Sequence, residues 1–266
     1  MLILIFLSAL IIAPGCSSRK APEGLRVVSL SPGITEIIYA IGAEDALYGI
    51  TNHCNWPPKA SRAKESVGDF SFPSMEKIAL IQPSLILAAG DGQRKAISHL
   101  INAGYDVRVF HPADITELFA HIMEIGRILG KTKNAAELVK NMKKDISSIP
   151  KLKNKSVFIE VCPKPLIAAS DKTFLSAICE KIGLSNIAVF QNSYPGVNAE
   201  WLIRKKPDYI LLTGSSEQEF RALHPYIKNS KIIRPSDIDM IVRPGPRITR
   251  GMREIYYLAE DAEKKQ

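Results

Sequence analysis

The chain has 266 residues, 46% of them hydrophobic and 23% charged, which excludes a disordered or collagen-like chain and leaves room for one large or two modest cored domains. A formal charge of +8 suits an anionic surface or an acidic ligand, but the basic residues are scattered rather than striped and no nucleic-acid-binding module is present. Nucleic acid is therefore not an expected partner.

In chain order, residues 1–15 are uncharged and rich in Leu, Ile and Ala, too short for a mature membrane span of about 20 residues. Small residues Ala13-Pro14-Gly15 then precede Cys16, and Ser17-Ser18-Arg19-Lys20 follow, the pattern of an export signal with a lipobox. The expectation is a signal peptide over 1–15, lipidation of Cys16, and a tether over 16–24 that holds the protein outside the cytoplasmic membrane. Beyond Cys16 there remain Cys54, Cys162 and Cys179, an odd number in an exported chain, so at least one thiol is free. A Cys162–Cys179 disulfide is left open.

From Leu25, strand-like and helix-like runs alternate. Arg26–Leu30, Leu47–Ile50, Leu85–Ala88 and Val107–Phe110 read as strands, the first of them buried, with helices over Ile34–Ile41 and Ala96–Ala103 closed by Gly42 and Gly104. This rhythm predicts parallel sheets flanked by helices. It breaks at one helical face, Leu118, Ile122, Ile125 and Leu129, and at a second helix with Thr132 as N-cap that ends at Pro150. Past the Lys-rich junction 151–155 the rhythm resumes at Ser156–Val161, Tyr209–Leu212 and Ile232-Ile233. The expected fold is thus α/β with two lobes: an N-terminal lobe over 25–131, a connecting helix over 132–150 and a C-terminal lobe over 151–266.

The halves share a repeat. Ser74-Met75-Glu76 leads to Pro83 and the strand at Leu85, and Asn198-Ala199-Glu200 leads to Pro207 and the strand at Tyr209. Each reads as a cap, a short helix opening with a carboxylate, a proline turn and a buried strand. Two equivalent lobes make a cleft.

No nucleophile elbow, zincin helix, P-loop or dinucleotide fingerprint occurs, and the five histidines lack ligand spacing. The informative loop is Thr51 to Pro58, which follows a strand and gathers His53, Cys54 and Trp56 before Pro57-Pro58. Loops after parallel strands line the ligand crevice, and an aromatic beside soft ligands suits a large planar or metal-bearing molecule. The alternative for Trp56 is a turn-stabilising role. Phe70, Phe72 and Tyr194 stand at similar rims.

With those residues in place, the chain resembles the helical-backbone (class III) ABC-transporter substrate-binding proteins, most closely their vitamin B12 (cobalamin) receptors. The likeness spans roughly residues 25 to 262 and rests on Arg26-Val27-Val28-Ser29-Leu30-Ser31-Pro32 with Thr35-Glu36, Trp56-Pro57-Pro58, Val67-Gly68, both Glu–Pro repeats and Arg243-Pro244-Gly245-Pro246-Arg247. It implies two Rossmann-like lobes with parallel sheets joined by one long helix, and a corrinoid as transported ligand rather than a cofactor. It puts cleft aromatics at Trp56, Phe70 and Tyr194 and polar contacts at Asp239 and Arg243. It makes Glu76 and Glu200 the points that dock a monomeric receptor onto its permease. His53-Cys54 departs from the family pattern and raises His53 as an axial metal ligand. Iron-siderophore or haem receptors of the same frame are the alternative reading, and a chelatase-like enzyme a remote one that export argues against.

Overall fold

The computed structural model describes residues 24–264, so the 1–15 segment, Cys16 and nearly all of the 16–24 tether lie outside the described residues. The first lobe comprises β1 (Val27–Ser29), α1 (Pro32–Ala40), β2 (Leu47–Ile50), α2 (Pro58–Ala63), β3 (Glu65–Ser66), α3 (Met75–Ile81), β4 (Leu85–Ala88), α4 (Arg94–Asn102) and β5 (Val107–Val109). Its strands are all parallel, in the order β3-β2-β1-β4-β5. Strands β1 and β4 are buried throughout, as continuous apolar runs must be when helices cover both faces of a parallel sheet.

Next come α5 (Ile115–Ile128) and the connecting helix α6 (Thr132–Ser147). Thr132 is the first helical residue rather than the N-cap: Lys131 occupies that position and makes no side-chain cap. The first bond of α6 runs from the Ala135 N–H to Lys131 O at 3.0 Å, and the Lys131 N–H donates to Gly126 O at 2.6 Å. A Cβ on Gly126 would stand 2.4 Å from the Ala135 Cβ, so the two helices meet closely here. The predicted apolar stripes meet here, with Leu118, Ile122 and Ile125 of α5 and Val139, Met142 and Ile146 of α6 all in the core.

The second lobe comprises β6 (Lys155–Pro163), β7 (Leu166–Ala168), α7 (Phe174–Lys181), β8 (Leu184–Asn186), α8 (Ala199–Lys205), β9 (Tyr209–Leu212), α9 (Glu217–Leu223), β10 (Lys231–Ile233), α10 (Asp239–Val242) and α11 (Ile248–Lys264). Its sheet runs β10-β9-β6-β7, with β8 on the first part of β6. One strand runs against the rest: β7 pairs antiparallel with the end of β6. The two residues between them, Lys164 and Pro165, permit a hairpin but no crossover.

The repeat seen in the sequence is a repeat in space. Ser74 and Asn198 each accept a bond from the backbone N–H three residues on, α3 and α8 each run seven residues, and Gln82 and Lys206 close them at φ 50° and 46°. A cap of this kind contributes about 1 kcal/mol.

The largest apolar cluster does not respect the lobe boundary. It joins α1 and α5 of the first half to α7 and α11 of the second, with one smaller cluster outside it in each lobe. The lobes therefore share a core, which opposes large relative motion.

One buried acid has a measurable consequence. Glu160 on β6 is fully buried; its Oε2 accepts the Gly214 N–H at 3.2 Å, but its Oε1 has no hydrogen-bond partner among the described residues. Burial pushes this carboxyl above the ordinary 4.5. The native state then holds its proton to higher pH than the unfolded state, so stability falls as pH rises from about the ordinary carboxylate value through the raised one. Glu160→Gln is expected to flatten that slope and to gain on the order of 1 kcal/mol at pH 8. Urea unfolding at pH 5 and pH 8 checks this; equal loss at both values would contradict it.

Candidate functional site

A cleft of about 790 Å³ opens between the lobes. Its first-lobe wall is built where strands end: Ser31 follows β1, His53 follows β2, Ala89 follows β4, and Phe110 and His111 follow β5. The opposite wall adds Thr213 after β9, the Lys172–Leu175 turn entering α7, Tyr194, and α10 with Arg243 and Pro244. Ligand crevices of α/β sheets lie at these carboxyl ends because the loops there converge.

Of the residues expected from sequence, His53, Phe70, Tyr194, Asp239 and Arg243 line this cleft. Phe70 is half-buried, with its Cε1 2.9 Å from where a Cβ on Gly92 would sit, so only glycine lets the ring lie flat there. The loop carrying Phe70 is pinned by Gln93, which sequence reading missed. Its buried amide donates from Nε2 to Leu30 O at 2.7 Å and Phe70 O at 2.8 Å, and its Oε1 accepts the Ala89 N–H at 2.8 Å. One side chain thus ties together three rim segments.

Two expectations are corrected. Cys54 does not face the cleft: it is 1% exposed, with Thr35 Oγ1 donating to its Sγ at 3.2 Å and Thr51 Oγ1 within hydrogen-bond reach of it at 3.3 Å. Burial pushes its thiol up, away from the thiolate a soft metal would need. Trp56 is outside the cleft lining and 39% exposed, with the Arg247 guanidinium over its ring at 4.9 Å. The turn-stabilising alternative fits this placement. Phe72, which stood at the rim in sequence, is 79% exposed and outside the lining. Cys162 and Cys179 are both free, and burial pushes the Cys179 thiol up to about 12.

The structure gathers histidines that looked scattered. His53 Nε2 lies 3.1 Å from Asp69 Oδ2, and Asp69, which also accepts the Ser71 N–H, is held below the usual carboxylate range by those two bonds. His111 Nδ1 lies 3.0 Å from Ala89 O. His121 packs edge-on to Phe110 at 5.2 Å, and burial pulls its pKa down. The missed signals were positional: His111 directly follows a strand, and His121 shares a helical face with Leu118. Among the described residues no cluster of three His, Cys, Asp or Glu is arranged to hold a metal ion by itself.

Beneath the cleft floor, charges from both lobes interlock. Arg247 donates to Glu36 through Nε at 2.9 Å and Nη2 at 2.7 Å, and to Asp237 through Nη1 at 2.6 Å. Arg243 pairs with Asp239 at 2.7 Å and donates to Asn55 Oδ1 at 2.6 Å. Burial raises the Glu36 carboxyl, and the two guanidinium groups oppose that rise. The backbones meet tightly as well: a Cβ on Gly33 would come 2.4 Å from Pro244 O. Arg243 and Asp239 are therefore in the cleft but already paired, which makes them a ready-set polar edge rather than free charges.

Glu76 and Glu200 stand apart from the cleft. Both are exposed in the first turn of matching helices, and among the described residues neither has an ion-pair partner. No helix of the described residues is long and apolar enough to cross a membrane.

Comparison with known proteins agrees with this geometry. Residues 27–225 match the periplasmic binding protein family. An uncharacterised ABC transporter substrate-binding lipoprotein of Bacillus subtilis (strain 168) is 33% identical over 89% of this chain and 80% of its own length. A vitamin B12-binding protein of Photorhabdus laumondii is 27% identical over 94% of this chain and 93% of its own. The solved structure of a possible iron-binding, periplasmic solute-binding protein from Staphylococcus epidermidis ATCC 12228 aligns with a TM-score of 0.75 and 28% identity, covering 88% of this chain and 97% of that one. The chain belongs to the periplasmic binding protein family, in its two-lobed, helix-connected class of ABC-transport receptors and not among enzymes.

Proposed function

We propose that this receptor captures cobalamin or a related corrinoid outside the cytoplasmic membrane and delivers it, as a monomer, to the permease of an ABC importer. The observation that carries the reading is the cleft itself, open between two lobes, with the rings of Phe70, Phe110, Phe174 and Tyr194 along its lining. Flat aromatic walls with a few placed polar groups suit a large planar ligand. The likeness to a vitamin B12-binding protein over nearly the full chain supports the same choice. Phe70→Ala and Tyr194→Ala are each expected to weaken cobalamin binding about ten- to a hundredfold, at about 1.4 kcal/mol per decade. Unchanged affinity in calorimetry on folded variants would sink the assignment.

The second reading, an iron-siderophore or haem, is favoured by the histidines on the first-lobe wall and by the likeness to a possible iron-binding protein. His53 is the residue through which either metal centre would be touched. With Nε2 turned to Asp69, Nδ1 is its remaining ring nitrogen, and a carboxylate behind a histidine is a common support for ligation. Visible spectra of cobalamin on His53→Ala identical to those on the wild type would remove it as an axial ligand.

The anchor completes the proposal. Lipidated Cys16 would tether the receptor, and mass spectrometry of membrane-fraction protein should show a diacylglycerol adduct there; a chain starting unmodified beyond residue 16 would rule it out.

A further inference from the structure

Helix α5 has two working faces. Leu118 and His121 border the ligand cleft, whereas Thr116, Phe119, Ala120 and Met123 border a second hollow of about 630 Å³ between α5 and α6. The two hollows share no lining residue. The floor of the second is apolar, with Ile115, Val139, Ile146 and Ile149 buried and Phe119 and Met123 half-buried. Its rim carries three lysines from three separate segments: Lys143 on α6, Lys151 in the junction and Lys181 at the end of α7.

We infer that this groove binds a single acyl chain with an anionic head, that is, a free medium-chain carboxylate. Charge complementarity selects the head. No carboxylate lines the groove, and among the described residues none of the three ammonium groups has an ion-pair partner; Lys143 only leans over the Phe119 ring at 5.4 Å. The carboxylates nearest along the chain are turned to other partners. Glu117 accepts the Ala113 N–H, Glu180 accepts the Ser176 hydroxyl, and Asp145 stands 3.9 Å from Arg253. Shape selects the tail. The stretches Ile115–Met123 and Val139–Ser147 each run about 12 Å at a 1.5 Å rise per residue, the reach of a medium-length acyl chain lying between two helices. A recessed trough takes one chain out of water, whereas insertion into a bilayer calls for apolar side chains that protrude.

The test uses the purified full chain and monomeric hexanoate, octanoate and decanoate, titrated calorimetrically below their micellar concentrations, with decanol as the uncharged probe. Saturation at one per protein is expected, tightening about tenfold for each two-carbon extension, as the burial of two methylenes dictates. The triple variant Lys143→Glu/Lys151→Glu/Lys181→Glu should weaken carboxylate binding about tenfold or more while leaving decanol unchanged. Ala120→Trp, at an exposed helical position, should fill the trough and block both probes. Urea unfolding of the same variants confirms that they are folded, so failure here is distinct from failure of the receptor reading. Lack of saturation, independence of chain length, or indifference to charge reversal would overturn the proposal. So would binding to phosphatidylglycerol vesicles with none to monomeric decanoate.

Discussion

Arg247→Leu is expected to destabilise the fold by about 3–5 kcal/mol, the usual cost of removing one partner from a buried ion pair. Glu36 is 3% exposed and receives both of its close bonds from Arg247; the next cation, Arg243, is 3.9 Å away and already engaged by Asp239 and Asn55. The substitution also frees Asp237 and uncovers the Trp56 ring. Glu36→Leu should cost less, because Asp237 still holds the buried guanidinium at 2.6 Å. The double variant Glu36→Leu/Arg247→Leu should recover most of the loss, since an apolar pair of similar volume needs no desolvation. Urea denaturation of the three variants closes the cycle. Single losses under about 1 kcal/mol would show the pair to be solvated like a surface bridge, contrary to its burial.

Glu76→Lys/Glu200→Lys is expected to reduce uptake in reconstituted vesicles by about tenfold or more, with ligand affinity and folding nearly intact. The two carboxylates occupy equivalent first turns, one on each lobe, exposed and without ion-pair partners among the described residues. Paired negative points on a chain of net charge +8 give a partner with basic sites an orientation as well as an attraction. If each carboxylate only complements its own helix dipole, the variant loses about 0.3–1 kcal/mol per site and transports normally. Normal uptake would therefore end the docking assignment.

The elements were legible where local rules act alone. Leu85–Ala88 and Tyr209–Leu212 are the strands their unbroken apolar runs announced, and Ser74 and Asn198 cap the helices that their spacing from Pro83 and Pro207 required. The cleft was legible in outline, because the rule that loops after parallel strands converge needs no side-chain detail. It leads to the stretch where His53 lines the cleft, and leads equally to His111 when applied to the strand ending at Val109. Orientation was the part that did not show. Cys54 and His53 are neighbours, yet one turns into the core and the other into the cleft, a choice made by Thr35 and Thr51. Trp56 was read as a ligand wall because nothing local signals Arg247, far along the chain. The Glu36–Arg247 pair spans 211 positions, and only the fold brings its charges together. The antiparallel β7 was hidden for a similar reason: three residues of apolar strand read the same in either direction.

The central claim is that the cleft between the lobes takes a corrinoid, and calorimetric titration of the purified protein with cobalamin tests it most directly, with haemin and a ferric siderophore as parallel arms. The account predicts one saturable cobalamin site, with a Kd of about 1 μM or below, equivalent to about −8 kcal/mol, that Phe70→Ala and Tyr194→Ala weaken. No binding of cobalamin, with saturable binding of haemin or the ferric siderophore in the same cleft, would contradict it.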